Sequence, residues 1–209
     1  MTHARAPRRG GGFLARAAQP MVLLAIMWAV FLLDAILPGS FSAAFGIESW
    51  MLRGLDGVLL SPLLHSSLGH LIANTVPFAI LGVMVALDGV GRFWAVTAII
   101  ALVGGLGTWV VNAPGTLTVG ASGLVFGYFG YLLLRAFVAP SLGHGIGYAI
   151  IAVVVAVVYG GSMLTGIFGA ASGISWQAHL FGAIGGGIAA LALRPRGRPS
   201  TRDGAARSS

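Results

Sequence analysis

Six apolar stretches, each close to the length of a bilayer-spanning helix, leave this 209-residue chain few ways to fold. A hydrocarbon core about 30 Å thick is crossed by roughly 20 helical residues. The stretches run from about Gln19 to Leu37, Ser67 to Leu87, Phe93 to Ala113, Val119 to Phe137, Gly143 to Leu164 and Ile174 to Leu193. They predict an all-α membrane protein. A six-helix bundle would occupy 19–193, between a basic tail at 1–18 and a basic, disordered tail at 194–209. Charged residues make up 8% of the chain, against about a quarter in a soluble domain, so a soluble globule is excluded. Cysteine is absent, which removes disulfides, thiolate metal sites and a thiol nucleophile. The first stretch has no clear small-residue cleavage site and reads as a retained span.

The arginines orient the bundle. Cytoplasmic segments carry the excess of basic residues. With the N-terminus inside, Arg5, Arg8, Arg9, Arg16, Arg92, Arg135, Arg194, Arg196, Arg198, Arg202 and Arg207 all fall on inner segments, and only Arg53 falls outside. Both termini are therefore expected in the cytoplasm. The same basic tails lack aromatic interleaving or a nucleic-acid motif, so nucleic acid is not an expected partner. The outer loop 38–66 alternates apolar residues such as Trp50, Leu52 and Leu55 with Glu48, Arg53 and Asp56, as a segment lying in the interface plane does. The outer loop 165–173 is rich in glycine and alanine and is expected to act as a movable lid.

A polar side chain within a span is costly, so each one is a candidate for function. The candidates are Asp34, His70, Asn74, Asn112, Ser122, His144 and His179. Asp34 reads as a helix-end anchor and Asn112 as a cap or interfacial residue. His144 starts span five on the inner side, and His65, just before span two, reads as an interfacial or loop-supporting residue. His70 and Asn74 share one helix face. Spans two, four and six all start outside, which places His70, Ser122 and His179 on the order of 5 Å below their helix starts. Asn74 lies a turn deeper. A serine hydroxyl needs a base to become a nucleophile, and a neutral imidazole is the usual one. An Asn amide, a second His and free N–H groups at a helix start can stabilise the oxyanion that follows. Gly123, Gly127 and Gly130 on span four, and Ala178, Gly182 and Gly186 on span six, form small faces that permit the close approach this chemistry requires.

Gly120-Ala121-Ser122-Gly123, His70-x-x-x-Asn74 and Ala178-His179-x-x-Gly182-x-x-x-Gly186, in this arrangement on spans two, four and six, resemble the rhomboid family of intramembrane serine proteases. The resemblance covers nearly the whole chain. It implies Ser122 as nucleophile, His179 as general base, and an oxyanion hole of His70, Asn74 and the Ser122 N–H. It implies cleavage of single-pass membrane proteins within the bilayer, with neither metal nor cofactor. The spans predict a multi-pass location in a cell membrane, and the all-Arg basic usage with abundant Ala and Gly points to a bacterial cytoplasmic membrane. Many bacterial rhomboids carry a Tyr, stacked on the catalytic His, where this chain has Phe126. Many also carry an adjacent Trp-Arg pair in the first outer loop; Trp50 and Arg53 are close but not adjacent. A rhomboid-like binder that does not cut, and a small transporter, are the competing readings. The transporter predicts an inverted repeat that the sequence lacks. The substrate and the oligomeric state are not encoded in these motifs.

Overall fold

The computed structural model describes residues 12–137 and 175–194, with 142–143, 145–150, 153–154 and 157 between them. The bundle is built from α1 (Phe13–Ile36), α4 (Leu68–Leu87), α5 (Val90–Val111), α6 (Ser122–Phe137) and α7 (Trp176–Ala192). Helices α1, α4 and α5 are each long and apolar enough to cross a membrane. Part of the fifth expected span is helical at 145–150. The remainder of that span, His144, the loop 165–173 and most of both tails lie outside the described residues.

The helices begin where local chemistry satisfies their first N–H groups. Ser67 caps α4 by accepting from the His70 N–H at 3.1 Å, and Ser175 caps α7 by accepting from the Ala178 N–H at 3.3 Å. Helix α1 starts at Phe13 rather than at the expected Gln19. Hydropathy marks the apolar length, whereas the helix continues through Arg16, whose guanidinium donates to the Leu87 carbonyl at 2.9 Å. At its other end Asp34 accepts from the Phe41 N–H at 2.7 Å, which is the anchoring role expected of it.

Three helix starts meet at one end of the bundle. His70 on α4, Ser122 on α6 and His179 on α7 all border one cavity, so these helices run the same way and α5 runs against them. At the opposite end the Asp88 carboxylate, just after α4, accepts from Tyr131 at 2.6 Å and from Arg135 at 3.3 Å, both near the end of α6. Tyr148 donates to the same carboxylate, which attaches the helical stretch 145–150 to the bundle. The core between these ends consists of Phe78, Leu81 and Val85 from α4, Phe93, Val96 and Ile100 from α5, and Tyr128, Tyr131 and Leu132 from α6. The outward faces are apolar as well: Leu32, Ile72, Val76, Ile80, Leu102, Leu106 and Leu191 are exposed. A soluble protein rarely presents so continuous an apolar exterior, and lipid is the solvent that suits it.

The loop 38–66 holds more structure than its amphipathic pattern suggests. It contains two short helices, α2 (Phe41–Phe45) and α3 (Gly57–Leu60), and the strand β1 (Ile47–Glu48). Strand β1 pairs antiparallel with β2 (Leu117–Thr118), just ahead of α6. This two-stranded sheet is a small addition to an otherwise helical fold, and the sequence did not announce it. Two-residue strands are too short to show an alternating pattern, which is why the sequence conceals them. Arg53 forms a two-bond ion pair with Glu48, and its hydrogen bond holds the Glu48 carboxyl below its usual range.

Candidate active site

Helices α6 and α7 touch through backbone. A Cβ on Gly182 would overlap the Gly123 carbonyl oxygen, and one on Gly186 would overlap the carbonyl of Gly127. The two glycine faces read from the sequence are thus apposed, with nothing larger than hydrogen between the chains. This approach brings the Ser122 Oγ to 2.8 Å from the His179 Nε2, inside the range for proton transfer from hydroxyl to imidazole.

His179 is buried. Phe126, one turn along α6 from Ser122, stacks on its imidazole with ring centres 4.1 Å apart and planes only 4° from parallel. The phenyl ring fixes the plane of the imidazole without the hydroxyl that a tyrosine would add. Ser122 is the first residue of α6, so its N–H is among those the helix leaves without an internal acceptor.

His70 closes the site from α4. Its Nδ1 lies 3.3 Å from the Ser66 hydroxyl. Its ring lies against Gly120, where a Cβ would come within 2.6 Å of Nε2. Gly120 also has φ +119°, a conformation that side-chain-bearing residues rarely adopt. Any other residue here would strain the turn into Ser122 and push His70 away. Asn74 is buried one turn below, and its amide donates to the His70 carbonyl at 3.1 Å. That uses one amide hydrogen and leaves the second for a further acceptor. Ser122, His179, His70, Asn74 and Phe126 are thus brought together around a single cavity of about 1120 Å³. Among the described residues no cluster of His, Cys, Asp or Glu could hold a metal ion.

Three residues have contacts the sequence did not reveal. His65 is buried, not interfacial; its Nε2 accepts from the Ala121 N–H at 3.4 Å and its ring meets His70 edge-on at 5.1 Å. Burial, and then the neighbouring His70, lower its pKa to about 4, so it stays neutral and keeps that lone pair. Asn112 is the C-cap of α5, as expected, and it is buried and not interfacial. Its side chain donates to Thr118 and accepts from Gln177. Gln177 escaped notice although it lies two residues before His179. Its position at the edge of a span made its polarity unremarkable.

A family model described as a Rhomboid domain matches residues 48–196. An uncharacterized protein of Mycobacterium tuberculosis is 41% identical over 180 residues, covering 83% of this chain and 73% of its own length. An uncharacterized protein of Mycobacterium leprae is 36% identical over 180 residues, covering 83% of this chain and 69% of its own. A Bacillus subtilis protein named "Putative rhomboid protease YdcA" is 34% identical over 131 residues, covering 61% of this chain and 62% of its own.

Proposed function

The chain belongs to the rhomboid family of multi-pass membrane proteins, and on that premise we propose that it is an intramembrane serine endopeptidase working through a Ser122–His179 dyad. The observation that carries this reading is the 2.8 Å contact between the Ser122 Oγ and the His179 Nε2. His179 takes the hydroxyl proton as the Ser122 Oγ attacks the scissile carbonyl. The oxyanion is met by the Ser122 N–H, by the free hydrogen of the Asn74 amide and by the Nε2–H of His70, with the Ser66 hydroxyl donating to the His70 Nδ1. His179 returns the proton to the leaving amine, and a water activated by the same imidazole then releases the acyl-enzyme. No metal or cofactor enters this cycle.

The proposal extends to six spans over roughly 19–193, with basic tails at 1–18 and 194–209 and both termini in the cytoplasm of a bacterial cell. Ser122 then lies below the outer surface, where polar groups must line a water-filled cavity. Substrates are single-pass membrane proteins cut near their outer end. A substrate helix must unwind to expose its peptide bond, and Gly or Pro near that end lowers the cost. The test is cleavage of a panel of single-pass segments by purified wild type and by Ser122→Ala in proteoliposomes. Binding without cleavage by the wild type would favour the non-cutting alternative, and solute flux without cleavage would favour transport.

A further inference from the structure

Both members of the dyad sit on first helical turns: Ser122 opens α6 and His179 is the fourth residue of α7. First turns fray, because their N–H groups lack internal partners. Below the dyad, the glycine contacts hold α6 and α7 together. Above it a second connection is present. The Gln177 Nε2 donates to the Asn112 Oδ1 at 3.1 Å, and the Asn112 Nδ2 donates to the Thr118 Oγ1 at 3.3 Å. The Asn112 Oδ1 also accepts from the Ala113 N–H at 3.1 Å. The chain of bonds therefore runs from the turn that carries His179, through the end of α5, to the segment that leads into Ser122. Asn112 is held in turn by the outer loop, since its backbone carbonyl accepts from the Trp50 Nε1 at 3.1 Å. Trp50 has a left-handed φ of 66°, costly for a bulky residue, and its ring packs against Trp109 of α5 with centres 5.8 Å apart.

We propose that Gln177 and Asn112 are positioning residues of the proposed protease. Their hydrogen bond ties the first turn of α7 to the entry of α6 and so holds the Ser122–His179 distance. The inference rests on the dyad reading. Neither residue donates to the oxyanion or moves a proton. Each acts on the approach of the reacting pair, so its loss lowers turnover and leaves substrate affinity unchanged. Asn112 Oδ1 is the acceptor for two donors, and a carboxylate can replace it. Asn112→Asp keeps the bond from Gln177, and the Thr118 hydroxyl, free to rotate, donates to the second oxygen.

The experiment uses the full-length protein in proteoliposomes with a cleavable single-pass substrate. Wild type, Ser122→Ala, Gln177→Met, Asn112→Ala, Asn112→Asp and the double variant Gln177→Met/Asn112→Ala are compared for kcat, KM and the rate of Ser122 labelling by a fluorophosphonate. Gln177→Met keeps the side-chain length at a cavity wall and removes only the polar end. Gln177→Met and Asn112→Ala are each expected to lower kcat and the labelling rate by about 10- to 100-fold, as a displacement of the order of 1 Å does. KM stays within about two-fold, the double variant is no slower than either single one, and Asn112→Asp restores the rate. Wild-type kcat in Gln177→Met, an effect on KM alone, or an Asn112→Asp variant as slow as Asn112→Ala would overturn the proposal. A wild type that neither cleaves nor is labelled would instead overturn the dyad reading on which it rests.

Discussion

The glycine contact beneath the dyad gives a prediction whose size follows from geometry. A Cβ on Gly182 would overlap the Gly123 carbonyl oxygen, which is backbone and cannot rotate away. Reaching ordinary contact requires α6 and α7 to separate by roughly 1 Å, because two packed helices have no softer coordinate to yield. Gly123 adjoins Ser122, and Gly182 lies one turn from His179, so the separation passes to the dyad almost undiminished. The present 2.8 Å contact would open beyond hydrogen-bond reach. Gly182→Ala is therefore expected to lower kcat about 100-fold, with overpacking costing about 1–3 kcal/mol of stability. Gly187→Ala on the same helix is the control. Its Cβ would meet only a Leu134 methyl at 3.7 Å, and the change should be neutral or slightly stabilising, since Ala favours a helix over Gly by up to about 1 kcal/mol. The assay is cleavage of a single-pass substrate in proteoliposomes, with thermal unfolding measured alongside. Wild-type turnover in Gly182→Ala, or equal losses in the two variants, would refute the argument that this contact sets the dyad distance.

Three further outcomes follow. His179→Ala should abolish cleavage as fully as Ser122→Ala, and the double variant should be no worse, because the pair acts as a unit; additive losses in kcat would separate the two roles. Asn74→Ala and His70→Ala should each lower kcat by roughly 10- to 1000-fold with little change in KM, as removal of one oxyanion donor does; a change in KM alone would move these residues to substrate recognition. His65 is held near a pKa of about 4 by burial and by His70, whereas an unfolded His takes a proton near pH 6.5. Between those values the unfolded state binds more protons. Stability is then fully present above about pH 6.5 and falls on acidification by up to about 1.4 kcal/mol per pH unit. Unfolding midpoints measured from pH 7.5 to 4.5 should therefore drop less steeply in His65→Gln than in wild type, and parallel curves would count against the buried neutral His65.

Much of the bundle was legible because lipid imposes simple rules. Apolar length located α4 and α5 to within a few residues, and the spacing of Gly182 and Gly186 identified the face that meets α6. Ser122, His179, His70 and Asn74 stood out because a polar group within a span is conspicuous. What remained hidden depends on irregular backbone. The β1–β2 pair, the Asn112 bridge and the His65 contact with Ala121 all join separate segments through one or a few hydrogen bonds. Such contacts leave no period in the sequence. Gln177 shows the limit clearly, since a polar residue at a helix start is ordinary until its partner is known.

The dyad itself is tested most directly by fluorophosphonate labelling of the purified protein, with the adduct located by peptide mapping, beside cleavage of a single-pass substrate by the same preparation. The account predicts an adduct on Ser122 alone, absent in Ser122→Ala and strongly slowed in His179→Ala, with cleavage near the outer end of the substrate lost in both variants. Cleavage that persists in Ser122→Ala, or an adduct on another residue, would contradict it.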